Sequence, residues 1–248
     1  MSRRSFKAGA LTAPLPPVMV TVGDMENSNI ITIGWTGILS TIPPRTYISV
    51  RPQRHSYGIL KETKEFVINL ATKDLVRKVD YAGIYTGAKV DKFKECALTK
   101  VESREVACPT IKECPLALEC RVIEIIPMGS HDVFIADIVS VSCDDSIIDS
   151  EGKIRFDQAG LLAYAHGEYF ALGEKVGKFG FSTDKVGKKP KTKSAPSKKE
   201  KENADNPKED SKRSTKDDKR PFYLDAPRGK SNYKSGKSNK SKGKGKKR

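Results

Sequence analysis

No stretch of about 18 consecutive apolar residues occurs in this 248-residue chain, so no transmembrane helix is expected. No Gly-x-Gly-x-x-Gly follows a strand-like run, and a dinucleotide-binding Rossmann unit is therefore not indicated. Paired His-x-x-x-His and Cys-x-x-Cys spacings are missing, as is an Asp-rich calcium loop, and no metal site is expected. No catalytic triad or pair of catalytic carboxylates is recognisable either. The five cysteines are odd in number, in a chain long enough to need no staples. Reduced thiols in a cytoplasmic protein are the simplest account, most of them acting as small core hydrophobes. The opening residues are basic like those of a signal peptide, but Pro14, Pro16 and Pro17 interrupt the apolar part, and they read as an ordinary N-terminus.

Acidic residues are what the C-terminal end lacks. The chain holds 46 Lys and Arg against 31 Asp and Glu, a net charge of +15. Residues 185–248 carry 24 of the basic and 8 of the acidic groups, which leaves 22 basic and 23 acidic residues in 1–184. A nearly neutral globular domain, residues 1–183, is thus followed by a basic tail, residues 184–248. The tail is poor in apolar residues and is expected to be disordered. It could bind nucleic acid or another polyanion through counterion release, or simply solubilise the protein. Ser235-Gly236-Lys237-Ser238 imitates the end of a P-loop. It lacks the earlier glycine and a preceding strand, so it is rejected.

The domain reads as mainly β. Val18–Val22 and Ile30–Trp35 form an expected hairpin, Pro43-Pro44 breaks the chain, and Tyr47–Val50 and Glu65–Leu70 follow as strands. Helices are expected over Ser56–Lys64 and Lys73–Tyr81, and a short one is expected after an Asp91 cap. In the next strand Leu116, Leu118, Cys120 and Val122 share one face, opposed by Glu119 and Arg121. Val133–Val141 pairs after a turn at Met128–Asp132. About six strands joined by short helices favour a small antiparallel barrel over a doubly wound sheet.

Three segments carry more than packing requires. Arg51-Pro52-Gln53-Arg54-His55-Ser56-Tyr57 joins a strand end to a helix start. There, free N–H groups, Arg54 and the Ser56 hydroxyl suit a phosphate; the plainer account is an N-cap serine beside two solvated arginines. Gly34 and Gly37 flank Trp35-Thr36 and let a planar ligand approach the backbone, unless Trp35 is simply a core residue beside a bulge. Gly129-Ser130-His131-Asp132 displays a histidine on a turn, where it either meets a ligand or is solvated.

Together with Glu65–Asn69, Asp80–Gly83, Asp91-Lys92-Phe93, Glu113-Cys114-Pro115 and Gly167–Glu174, these segments, in this order from about Leu15 to Ser182, resemble the flavin reductase-like, FMN-binding split-barrel family, and within it the flavoredoxins. The resemblance implies a homodimer of split β-barrels with FMN held non-covalently near the subunit interface. Thr32, Gly34, Trp35, Thr36 and Gly37 would line the isoalloxazine. Arg51, Arg54, His55 and Ser56 lie in the phosphate motif, and Asn69 and Lys92 in motifs of the flavin pocket. His131 would face the ring or the incoming donor in a catalytic, proton-moving or orienting role. Hydride would come from NAD(P)H, or electrons from a protein partner. A non-catalytic FMN-binding or polyanion-binding module is the alternative. Relatives often have Met where Ile31 stands and Trp where Phe170 stands, which bears on substrate preference.

Overall fold

The computed structural model describes residues 2–183. The expectations for the tail, including its disorder, its polyanion binding and the P-loop look-alike, lie outside the described residues.

A seven-stranded antiparallel sheet dominates, with strands β1 (Val18–Gly23), β2 (Ser28–Ile33), β3 (Thr36–Thr41), β4 (Pro44–Val50), β5 (Glu65–Leu70), β8 (Leu116–Pro127) and β9 (Asp132–Cys143). Their order is β2-β1-β5-β8-β9-β4-β3. Small hairpins are added by β6 (Lys100–Val101) with β7 (Thr110–Ile111), and by β10 (Leu162–Ala165) with β11 (Glu168–Ala171). The helices are short: α1 (His55–Thr63), α2 (Val76–Ile84) and α3 (Lys92–Glu95).

The sheet curls around a core that takes Val20 from β1, Ile33 from β2, Ile48 from β4, Phe66 from β5 and Phe134 from β9, with Leu60 of α1 inserted among them. Alternate residues of the same strands point outward and are buried again. Met19 of β1 and Ile30 of β2 pack under Val79 of α2, Phe93 of α3 and Leu162 of β10. Two covered faces explain why every residue of β1 is buried. A split barrel with a helical layer on one side is the result.

The expected β1–β2 hairpin, β5 and the Asp91 cap are present; the Asp91 carboxylate accepts from the N–H groups of Phe93 and Lys94. Two expectations need correction. Thr36–Thr41 is a full edge strand, β3, and Pro43-Pro44 turns it into β4 rather than ending the sheet; Pro44 occupies the first position of its strand, where no inward N–H is needed. Helix α1 starts at His55 behind Arg54, which offers no side-chain cap, so Ser56 lies inside the first turn and is not the N-cap. Glu119 stands, as the alternation puts it, on the face opposite Leu118 and Cys120, beside Val67 and Ala117. It is nevertheless buried, because the loop carrying Val106 and Cys108 covers that face, and its two carboxylate oxygens accept from the backbone N–H groups of Arg104 and Glu105.

Candidate functional site

A cleft of about 400 Å³ opens where the ends of β2, β4 and α2 meet the β10–β11 hairpin. Small-molecule sites span about 300–1,000 Å³. Thr32, Ile33, Gly34 and Trp35 form one wall, and Arg51 and Arg54 another. The Thr32 hydroxyl donates to the Val79 carbonyl (2.5 Å), tying β2 to α2. Gly83 allows that approach, since a Cβ there would lie 3.3 Å from Thr32 Cβ. Tyr164 and Tyr169 close the far side, and the Tyr169 hydroxyl donates to Asp80 (3.2 Å).

His131 stands at the mouth of the cleft. Its ring meets Trp35 edge to face at 4.5 Å, and Trp35, 38% exposed, is a rim residue and not a core one. The turn that carries His131 is closed by Met128 N–H to His131 O (2.8 Å) and fixed by Tyr57, whose hydroxyl donates to Asp132 (2.5 Å). Arg51 Nε–H donates to His131 Nε2 (3.3 Å), while Nδ1 faces Ser130 Oγ at 2.9 Å. Partial burial, then the cations Arg51 and Arg54, hold the imidazole pKa below its ordinary value. The ring is therefore neutral near pH 7, with its proton on Nδ1.

A smaller cavity of about 90 Å³ adjoins the cleft through Ile31 and Arg54, which line both. It gathers Arg54, His55 and Ser56 from the start of α1, with Asn29, Gly87 and Lys92. Asn29 Nδ2 donates to Ser56 Oγ (2.7 Å). Lys92 is only 4% exposed, and its ammonium donates to the carbonyls of Ile30 and Ala82, each at 2.7 Å. Among the described residues no carboxylate pairs with it. Burial and then the Arg54 charge lower its pKa to about 8. A buried ammonium, a guanidinium and uncapped helix N–H groups together suit a phosphate or a comparable anion.

The structure thus brings Thr32, Gly34, Trp35, Arg51, Arg54 and His131 to the cleft, and Arg54, His55, Ser56 and Lys92 to the cationic cavity. Three anticipated residues lie apart from both. Thr36 donates its hydroxyl to the Tyr47 carbonyl (2.6 Å), and the bare face of Gly37 accommodates the Tyr47 ring, 3.3 Å from where a Cβ would stand. Asn69 is fully buried; its amide donates to Met19 O (3.0 Å) and accepts from Ile111 N–H (2.9 Å). These contacts hold strands together. Asp80, Ile84, Tyr164 and Tyr169 line the cleft without having been singled out. Asp80 and Tyr169 stood in matching motifs, but only the folded hairpin sets them face to face.

The chain is a split antiparallel barrel whose cleft adjoins a cationic cavity. The family profile described as flavin reductase like domain matches residues 11–173, and the chain belongs to that family. Flavoredoxin of Desulfovibrio vulgaris (Miyazaki F) superposes with a TM-score of 0.69 at 31% identity, over 73% of this chain and 100% of that one. An uncharacterized protein of Archaeoglobus fulgidus is 34% identical over 143 residues, 58% of this chain and 80% of the relative. The FMN-binding protein of Thermus thermophilus, solved with bound 1-cyclohex-2-enone, shares the fold at a TM-score of 0.61 and 24% identity, over 71% of this chain and 99% of its own. Among the described residues no helix is long and apolar enough to cross a membrane, and no cluster of His, Cys, Asp and Glu could hold a metal.

Proposed function

We propose that this chain binds FMN non-covalently and acts as a flavoredoxin or flavin reductase-type oxidoreductase, taking hydride from NAD(P)H or electrons from a protein donor. The observation that carries the reading is the buried Lys92 ammonium. Among the described residues it is uncompensated by any acid; it stands beside Arg54 and the start of α1, next to a cleft large enough for a tricyclic ring. Bound FMN supplies a ring that accepts and releases hydride or single electrons.

The protein's part is positioning. Lys92, Arg54, His55 and Ser56 hold the phosphate, and the backbone and side chains of Thr32 to Trp35 lie along the ring. His131, neutral and fixed by Arg51, orients the incoming donor at the mouth, and Trp35 beside it limits access of water. The sequence resemblance and the apolar edge of the sheet support a homodimer. Ile38 (64% exposed), Leu39 (50%) and the neighbouring Ile42 (77%) form a strip that a second copy would cover. Five free cysteines favour the cytoplasm. The basic tail would act as a separate polyanion-binding extension of the flavin domain, residues 1–183.

The test is optical. Purified or FMN-reconstituted protein should absorb near 450 nm, an order-of-magnitude position for oxidised flavin. Anaerobic addition of NADH, NADPH or reduced ferredoxin should bleach that band and rank the donors. A protein that stays colourless and ignores added FMN overturns the reading.

A further inference from the structure

The turn that carries His131 has little support of its own. Pro127 to Ser130 are exposed, and Gly129 takes a positive φ of 83°. Asp132 is the first residue of β9, paired with Pro127 of β8 and Val50 of β4, so His131 lies just outside the sheet. Two side chains reach this point from elsewhere. Arg51, one residue past the end of β4, donates to the imidazole itself. Tyr57, in α1, donates to the residue next to it.

Tyr57 is held on three sides. Its ring meets Phe134 edge to face at 5.6 Å, and Lys61 Nζ stands over its face, 5.7 Å from the centroid. Asp132 and Phe134 are two residues apart and leave the same side of β9, the side against which Tyr57 and Leu60 of α1 pack. The Tyr57 hydroxyl is the one hydrogen-bond or ion-pair partner of the Asp132 carboxylate among the described residues. That bond, then partial burial and the carboxylate charge, hold the phenol pKa above its ordinary value, so the hydroxyl keeps its proton and remains the donor. The first turn of α1 is anchored in its own right, where Asn29 donates to Ser56 beside the cationic cavity.

We infer that Tyr57 is a positioning residue for the reaction: through Asp132 it ties the histidine turn to α1 and so holds His131 at the mouth of the cleft. The inference rests on the flavin reading above. One stretch of helix then serves both ends of the site, the cofactor phosphate at His55 and Ser56 and the approach of the donor at His131. A misplacement of about 1 Å can cost a reaction about a hundredfold, so a contact made by a neighbouring residue is enough to matter.

Tyr57→Phe keeps the ring contacts and deletes only the hydroxyl. The test is anaerobic reduction of FMN-loaded full-length protein by whichever of NADH, NADPH and reduced ferredoxin reacts fastest. The variant should lower the limiting rate about tenfold and leave the half-saturating donor concentration and FMN affinity within about twofold. Asp132→Ala should match it, whereas Asp132→Asn, whose amide oxygen still accepts from Tyr57, should keep most of the rate. In a His131→Ala background Tyr57→Phe should have no further effect. A second readout needs no flavin. Tyr57→Phe should shift the His131 imidazole resonances, identified by their loss in His131→Ala, and leave those of His166 in place. An unchanged limiting rate overturns the proposal, as does an equal loss in the His131→Ala background, because Tyr57 then acts on the fold alone. Unmoved His131 resonances overturn it too. A protein that binds no flavin removes the flavin reading, and the resonances alone then decide whether Tyr57 holds the imidazole.

Discussion

Arg51 and His131, eighty residues apart in sequence, meet where Arg51 Nε–H donates to His131 Nε2 at 3.3 Å. This contact engages the lone pair of an imidazole that meets Trp35 edge to face, and partial burial followed by the Arg51 and Arg54 charges depresses its pKa. Replacing His131 with Ala should slow flavin reduction while FMN stays bound. Because the imidazole pKa lies below the ordinary 6.5, any rate change due to its protonation should fall below that pH, leaving the profile flat through neutrality. Arg51→Ala removes a cation from beside the ring and should move that break upward. A break above pH 7 in the unmodified protein would contradict the neutral histidine.

Lys92 should control the pH dependence of cofactor binding. Its pKa in the free protein is about 8, so below that pH the ammonium is present to meet a phosphate. Above it, binding must first restore the proton, and affinity for FMN should fall by up to about tenfold per pH unit until the pKa of the bound form is reached. Lys92→Met should lower FMN affinity at pH 7 by about tenfold or more and abolish that slope. Titrations at pH 7 and pH 9 check both expectations. An unchanged affinity in the variant places the phosphate elsewhere.

Local signals in the sequence were legible where one short segment decides the outcome. The Asp91 cap, strand β5 and the β1–β2 hairpin depend on near neighbours and stand where the pattern put them. Strand β3 was not legible, because Gly37 and Pro43-Pro44 are breakers taken alone. Only the Tyr47 ring lying across Gly37 shows why a glycine belongs in a strand there. Alternation puts Glu119 on the face opposite Leu118 and Cys120, where it stands, but only the folded loop 15 residues upstream shows that this face is covered. At the site, the helix start at His55 and Ser56 followed from strand and helix signals. The partner of Arg51, and the difference between Lys92 at a cavity and Asn69 in the core, depend on long-range packing that no local pattern encodes.

Asn69 should therefore behave as a structural residue. Asn69→Ala strands the buried N–H of Ile111 and the carbonyl of Met19. Each unsatisfied buried group costs about 1–3 kcal/mol, so urea unfolding should show a loss of at least that size. FMN affinity, measured where the variant remains folded, should be unaltered. A selective loss of FMN from a protein of unchanged stability would return Asn69 to the site.

The cysteines should differ sharply in reactivity. Burial pushes the thiols of Cys108 and Cys114 up to about 12, and that of Cys120 higher still. The thiolate is the reactive form, so at pH 8 these three offer almost none of it, and their burial also bars a reagent. Cys143 lies partly exposed near the end of β9; its thiol is raised by partial burial and then by Asp144 and Asp145, but it remains reachable. Iodoacetamide applied to the native protein and read by peptide mass spectrometry should modify Cys143 before Cys108, Cys114 or Cys120. Equal labelling of all four would mean that the barrel opens on the timescale of the reaction, and the same experiment in denaturant supplies that pattern for comparison.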